Sequence, residues 1–451
     1  MKIHILGICG TFMGGLAALA RADGHEVSGS DENIYPPMST QLEALGIEIS
    51  EGYDPAMLDP PPDLVLIGNA LSRGNPCIEY VLDQRLPYAS GPGWLGANYL
   101  AGRRVLAVAG THGKTSTASM LAWMLEHAGL GPGFLIGGLP NNFGVSARSS
   151  DDLFVVEADE YDTAFFDKRA KFIHYRPDVA ILNNLEFDHA DIYADLAAIQ
   201  QQFHHFVRII AGNATIIVNG DDNALKCVID KGCWSRLERF SLAPDSDEWQ
   251  VTLSEPAGRQ LVFHHQGEQV AELEWTQTGR HNAMNALAAM AAASRVGVEP
   301  AAAAAALAEF RGVRRRLEFL GEVNGARVYD DFAHHPTAIR LTLEGLRRSV
   351  GGARILVALE PASNTMRGGY HVNELAPALM AADHVWIKTS EAMDWDPGEI
   401  LARLEGQGRP RRQVANLLKD LREAVRPGDH VVFMSNKGFA NAPQRFVKGE
   451  T

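Results

Sequence analysis

Residues 110–117 read Gly110-Thr111-His112-Gly113-Lys114-Thr115-Ser116-Thr117, between the apolar run Val105-Leu106-Ala107-Val108-Ala109 and a helical pattern from Ala118 to about His127. A strand, a glycine turn and a helix N-terminus form a phosphate cradle, because free backbone N–H groups and the helix dipole both favour an anion there. Lys114 adds a full positive charge, and Thr115 offers the hydroxyl expected on a nucleotide-bound Mg2+. Gly110 and Gly113 are separated only by Thr111 and His112, a shorter spacing than the common phosphate loop. The chain is therefore expected to use a nucleoside triphosphate.

Outward from this loop, short strands at 3–6, 25–28 and Leu64–Ile67 surround a helix from about Met13 to Ala22, a βαβ pattern that favours a parallel sheet with ligands at the strand C-ends. The turn-rich stretches Ser90-Gly91-Pro92-Gly93 and Ala101-Gly102-Arg103-Arg104 place a boundary near residue 102. Apolar runs at Phe154–Val156, Val179–Leu182 and Thr215–Val218 belong with the phosphate loop in a central α/β domain. An alanine-rich helix is expected from His281 to Arg295, capped by Asn282 and ended by Gly297, with a second helix opened by Pro300. After Gly312, strands at Val328–Tyr329, Ile355–Leu359, Val385–Ile387 and Val431–Met434 alternate with helices and imply a third α/β domain. The expected units are 1–102, 103–311 and 312–451.

A chain of 451 residues is too long for one core. Its net charge of −14 disfavours non-specific nucleic-acid binding. The four cysteines form no zinc-type spacing and are expected to be reduced thiols. The apolar run 3–6 ends at Gly7, too short for a signal peptide or membrane span. A cytoplasmic protein without membrane insertion is expected, as a monomer or weak homo-oligomer.

A second glycine loop, Gly7-Ile8-Cys9-Gly10-Thr11-Phe12-Met13-Gly14, precedes Asp31 at the end of the next strand. A nicotinamide dehydrogenase is the rival reading, but Cys9 stands where that fingerprint wants its second glycine. A diphosphate site is preferred, so the chain is expected to hold two nucleotides. Glu157 closes the strand Phe154–Val156, where an acid can hold Mg2+ beside the phosphate loop. Asp159, Glu160 and Asp162 are read as a solvated acidic loop. His189, in Asn183-Asn184-Leu185-Glu186-Phe187-Asp188-His189, is either a second metal ligand or a structural histidine. Arg314-Arg315-Arg316 by itself reads as a solvated basic turn.

Seven strings together resemble the Mur ligase family of ATP-dependent amide ligases. They are Gly7–Gly14, Gly110–Thr117, Glu157-Ala158-Asp159-Glu160, Asp188-His189, Gly279-Arg280-His281-Asn282-Ala283-Met284-Asn285, Arg315-Arg316-Leu317-Glu318 and Asp330-Asp331-Phe332-Ala333-His334-His335-Pro336. The resemblance spans essentially the whole chain. It implies a three-domain α/β fold: a Rossmann-like N-terminal domain binding a UDP-sugar, a central P-loop ATPase domain and a Rossmann-like C-terminal domain binding the incoming peptide. By the same resemblance, Gly110, Thr111, His112, Gly113, Lys114, Thr115 and Ser116 would hold ATP. Thr115 would hold a first Mg2+, His189 a second, and Glu157 would bridge the two metals. His281, Asn282 and Asn285 would lie at the adenine end, Arg316 would reach the γ-phosphate, and Asp331 would hold the ribose. Lys114, Glu157, His189 and Arg316 are thus the expected catalytic set. Gly10, Thr11, Phe12, Met13 and Asp31 would contact the UDP-sugar.

Some members carry a carbamoylated lysine after Asp-His, whereas Gln200-Gln201-Gln202-Phe203-His204-His205 contains none. That agrees with the branch acting on UDP-N-acetylmuramate itself. Within it, one enzyme adds L-alanine and another adds the tripeptide L-alanyl-γ-D-glutamyl-meso-diaminopimelate. Glu360-Pro361-Ala362-Ser363-Asn364-Thr365-Met366-Arg367 resembles the second, where the first typically has Pro-His-Arg-Tyr. Ser363, Asn364, Thr365 and Arg367 are the candidate peptide contacts.

Overall fold

The computed structural model describes residues 1–34, 38–243, 248–404 and 408–450. Lys2–Leu6 forms the middle of a five-stranded parallel sheet, flanked by Glu26–Asp31 and Leu64–Ile67, with Glu48–Glu51 and Tyr88–Ser90 at the edges. The strand order reverses direction at Lys2–Leu6. Gly7 and the helix Thr11–Ala22 follow that strand, so the second glycine loop sits at the topological switch point where such sheets bind ligands. A Cβ on Gly15 of this helix would lie 2.4 Å from Leu135 Cδ1 and 3.3 Å from Ala147 Cβ, so the Leu135 side chain would have to shift to admit it. The missing side chain lets the first unit pack closely on the strand Gly133–Leu135 of the second.

The central sheet has ten strands. Its parallel heart runs Arg236–Ser241, Thr215–Asn219, Val179–Leu182, Arg104–Ala109, Leu153–Ala158 and Gly133–Leu135. All of these strands but Arg236–Ser241 are largely apolar and buried, as expected for a sheet covered on both faces, while in Arg236–Ser241 both Arg236 and Arg239 are exposed. Arg104–Ala109 lies between Leu153–Ala158 and Val179–Leu182. The phosphate loop, the acidic stretch and the Asn183–His189 segment therefore emerge side by side from the C-ends of three adjacent strands. The helix Arg280–Ser294 packs against the phosphate-loop helix Lys114–His127, and every residue from Ala283 to Ala293 is buried. The sequence reading missed the antiparallel extension Trp249–Leu253, Gln260–His265 and Glu268–Glu274.

The third sheet pairs Glu318–Val323 antiparallel with Ala326–Asp331 and continues parallel through His430–Met434, Ile355–Leu359, His384–Lys388 and Gly408–Arg411. Asp331 stands at the C-end of its strand and lines the cavity toward the central unit, and Glu360 follows the strand Ile355–Leu359, where it accepts from Lys388 and Ser435. No helix among the described residues is long and apolar enough to cross a membrane.

Candidate functional site

The expected capping role of Asn282 is not what the structure has. Gly279 occupies the N-cap with no side-chain bond, the helix starts at Arg280, and Asn282 Nδ2 instead donates to the Thr278 carbonyl at 2.9 Å. At φ 91°, Gly279 makes the entry turn that a capping side chain would otherwise shape.

Gly110 and Gly113 take φ 148° and 77°, conformations that exclude most side chains. A Cβ on Gly113 would also lie 2.6 Å from Asn285 Oδ1 and 2.9 Å from Asn183 Nδ2. Those two amides bond each other at 2.8 Å, so the loop rests on a strand-to-helix clasp. The amides of Thr111 and His112 donate to the carbonyl and side chain of Asn184 at 3.1 and 2.7 Å.

Lys114 Nζ donates to Glu160 Oε2 and to the Gly110 carbonyl, each at 2.6 Å. Burial by itself would lower the lysine, but Glu160 and Asp159 outweigh it and raise its pKa. The reading of Asp159, Glu160 and Asp162 as a solvated loop is overturned. Glu160 is 1% exposed and Asp162 5%. Asp159 accepts from Lys171 Nζ at 2.6 Å, and Asp162 from Lys168 Nζ at 2.6 Å. Burial would push Glu160 up, yet Lys114 and His189 hold it down, because a buried carboxylate stays ionised only beside compensating charge.

Thr115 Oγ1 donates to both oxygens of Glu157 at 3.1 Å, and the Gly137 amide donates to Glu157 Oε2 at 2.7 Å. Desolvation raises the Glu157 pKa although Lys114, the Gly137 amide and Arg316 act to lower it. This oxygen set suits a hard cation such as Mg2+. His189 is joined to Glu160 Oε1 at 3.2 Å, and Asp159, Glu160 and His189 form a second group of converging donors. Thr115 and Glu157 are thus in direct contact, while His189 lies beyond Glu160.

A cavity of about 1100 Å3 opens between the central and C-terminal units. His112, Gly113, Ser116, His281, Asn282, Asn285, Arg316 and Asp331 all line it. His281 is held neutral by burial, its pKa pushed down to about 4, and its buried Nδ1 has no partner among the described residues. Arg314 is exposed as a basic turn would be, but Arg316 turns inward and its Nη2 lies 3.3 Å from Thr115 Oγ1. The neighbours Arg315 and Leu317 both have left-handed backbones, φ 57° and 48°. Such strained conformations cluster at functional sites, where surrounding contacts hold them. Asp331 accepts from the Leu317 and Ala333 amides at 2.6 and 2.7 Å and thereby braces the same turn.

At the first glycine loop, Asp31 accepts from the Cys9 and Asn33 amides at 2.9 and 3.0 Å, while Gly10 caps the helix from Thr11 without a side-chain bond. That leaves the N-terminal amides open for an anion. Met13 is buried in the core, and Phe12 lies 5.8 Å beneath the Lys171 ammonium. In the C-terminal loop, Ser363 caps the short helix Asn364–Arg367, and Thr365 Oγ1 accepts from the Ala190 amide at 3.2 Å. Arg367 donates to Asn364 Oδ1 at 2.6 Å. Sequence reasoning missed Lys171, which no motif marks, and treated Glu186 and His335 only as parts of longer strings.

Family models confirm what this architecture suggests. The Mur ligase middle domain matches residues 108–293, the catalytic domain of the Mur ligase family residues 2–102, and the Mur ligase glutamate ligase domain residues 315–437. The chain belongs to the Mur ligase family. It is 53% identical over 460 residues to the UDP-N-acetylmuramate--L-alanyl-gamma-D-glutamyl-meso-2,6-diaminoheptandioate ligase of Escherichia coli (strain K12), covering 100% of this chain and 98% of that protein. A murein peptide ligase from Psychrobacter arcticus 273-4 superposes with a TM-score of 0.77 at 45% identity, covering 99% of this chain and 98% of that one. The UDP-N-acetylmuramate-alanine ligase from Thermotoga maritima superposes with a TM-score of 0.81 at 25% identity, covering 100% and 99%.

Proposed function

We infer that this chain is an ATP-dependent ligase that joins UDP-N-acetylmuramate to the tripeptide L-alanyl-γ-D-glutamyl-meso-diaminopimelate in peptidoglycan recycling. The observation that carries the reaction type is the convergence of Lys114, from the phosphate loop, and Arg316, from the C-terminal unit, on the Thr115–Glu157 pair. The 53% identity to the tripeptide ligase of Escherichia coli, against 37% and 33% to the UDP-N-acetylmuramate--L-alanine ligases of Paenarthrobacter aurescens and Renibacterium salmoninarum, favours the tripeptide as acceptor.

An amine does not displace hydroxide from a carboxylate at neutral pH, so the acid must first be activated. Its carboxylate oxygen attacks the γ-phosphorus of ATP, a new O–P bond forms, and ADP leaves. Lys114 and Arg316 neutralise charge spread over the transferring phosphoryl oxygens, and the cradle amides hold the triphosphate in line. Thr115 and Glu157 would hold one Mg2+ and His189 a second, and the ions would supply further charge neutralisation on the phosphates. The peptide amine then attacks the acyl carbon. The tetrahedral intermediate collapses to the amide, releasing phosphate that carries the acid's original oxygen. In this reading the loop Ser363–Arg367 presents the peptide, Gly10–Met13 and Asp31 hold the UDP-sugar, and His281, Asn282, Asn285 and Asp331 hold the nucleoside of ATP.

The test is ADP release with UDP-N-acetylmuramate plus either L-alanine or the tripeptide. Turnover with the tripeptide and none with alanine is expected; turnover with alanine alone would overturn the acceptor assignment. Labelled carboxylate oxygen absent from the released phosphate would overturn the acyl phosphate.

A further inference from the structure

Against the phosphate loop lies a set of donors that the proposed reaction leaves unused. His112 Nε2 is 3.1 Å from Glu186 Oε2, His335 Nδ1 is 3.4 Å from the same oxygen, and all three donor atoms lie within 4.8 Å of one another. We propose that His112, Glu186 and His335 form a site for a zinc-class divalent cation that ties the C-terminal unit to the phosphate loop.

Two imidazole nitrogens and one carboxylate oxygen suit zinc and its neighbours, whereas Mg2+ prefers an all-oxygen shell. The two separations from Glu186 Oε2, 3.1 and 3.4 Å, are close to those of a tetrahedral site, and the two ring nitrogens lie within 4.8 Å of each other. Metal–donor bonds of about 2.0–2.2 Å in a tetrahedron put donors about 3.3–3.6 Å apart. The surrounding contacts fix the tautomer that coordination needs. His335 Nε2 donates to the Phe187 carbonyl at 3.2 Å, so Nδ1 carries the lone pair that faces Glu186. A ring lone pair and a carboxylate oxygen repel at that distance, and a cation between them would relieve the repulsion. The Thr337 amide meets His335 Nδ1 only in a long 3.3 Å bond, and the cation would replace it. His371 Nε2 shares the Phe187 carbonyl at 3.1 Å, and its ring packs 4.4 Å from that of His335. Backbone carbonyls holding the far nitrogen of a ligand histidine are the usual outer support of metal sites.

His112 now donates through Nε2 to Glu186, so coordination there requires its proton to move to Nδ1 within the neutral ring. His112 stands in the phosphate loop, Glu186 follows the strand Val179–Leu182, and His335 caps the helix Pro336–Val350 of the C-terminal unit. An ion there would fasten the two units that enclose the large cavity. His112 and Glu186 also line the large cavity, so the fourth position opens toward it.

The test is titration of the full-length protein with Co2+ and, separately, with Zn2+ against a chelating dye. Intense visible bands of tetrahedral cobalt without a sulfur charge-transfer band are expected, with one tight equivalent that excess Mg2+ does not displace. Glu186→Gln and His335→Gln should each lose that equivalent. His335→Gln also alters a helix cap, so Glu186→Gln, which leaves the cap intact, decides if the former fails to fold. Equal stoichiometry in wild type and Glu186→Gln would overturn the proposal. So would loss of the equivalent in Glu160→Gln but not in Glu186→Gln, which would assign the ion to the carboxylates beside Lys114.

Discussion

Arg316 Nη2 stands 3.3 Å from Thr115 Oγ1 although 201 residues separate them in the chain. One residue belongs to the phosphate loop of the central sheet and the other to a strained turn ahead of the C-terminal sheet. An arginine delivered across such a seam couples closure of the units to completion of the phosphate site. Arg316→Ala should therefore slow ADP release by about a thousandfold or more, the scale typical of phosphoryl-transfer arginines. Calorimetry should show UDP-sugar binding unchanged, because that site lies in the first unit. Weakened UDP-sugar binding would mean the two loops are misassigned.

Gly113→Ala tests the cradle itself. The backbone at φ 77° costs a side chain roughly 1–2 kcal/mol, and the Cβ would press on Asn285 and Asn183. Loss of ADP formation with retained secondary structure by circular dichroism is expected. Full activity would show that the clasp beneath the loop is dispensable.

The C-terminal loop separates capping from recognition. Ser363 is used as a helix cap and Thr365 meets Ala190, whereas Arg367 bonds Asn364 at 2.6 Å, so this pair is the candidate to exchange its mutual bond for an acceptor. Arg367→Ala should raise KM for the tripeptide by roughly tenfold or more, since a hydrogen bond to a charged group is worth about 1.5–3 kcal/mol. An unchanged KM in steady-state kinetics would exclude Arg367 from peptide binding.

Stability should fall on acidification below neutrality. Burial lowers His281 and His334 to about 4 and His335 to about 3, from an ordinary 6.5. Between those values the unfolded chain binds protons that the folded one refuses, so their contribution is present above pH 6.5 and is lost as pH falls, by roughly 1.4 kcal/mol per unit each. His189 works in the opposite sense. Burial would lower it, but Glu160 raises it, so its contribution is full below 6.5 and lost as pH rises through the folded value. With His4, also lowered by burial to about 4, four depressed rings outweigh the raised ring and the Asp330 carboxyl, which burial raises to about 6 and which acts against them, so the melting temperature should drop from pH 7 to pH 5. His281→Asn should make that slope shallower; a flat profile in the unmodified protein would contradict the burial argument.

Much of this molecule was legible in the sequence because its signals are local. The phosphate loop is announced by two glycines and a lysine after an apolar strand, since backbone freedom and charge act within a few residues. The three α/β units follow from runs of apolar residues ending at polar ones, and their motifs gave the family in order along the chain. What stayed hidden depends on which strands become neighbours. Glu160 reads as one acid among several until Arg104–Ala109 and Leu153–Ala158 pair, setting it against Lys114 and turning a solvated loop into a buried ion network. Arg316 reads as surface charge until two left-handed residues turn it onto Thr115. His335 reads as a motif letter until its helix cap meets Glu186. Residue chemistry fixed the fold class and the phosphate chemistry, whereas burial and cross-unit contact, which no local window contains, decided the charge state and partners of each group in the site.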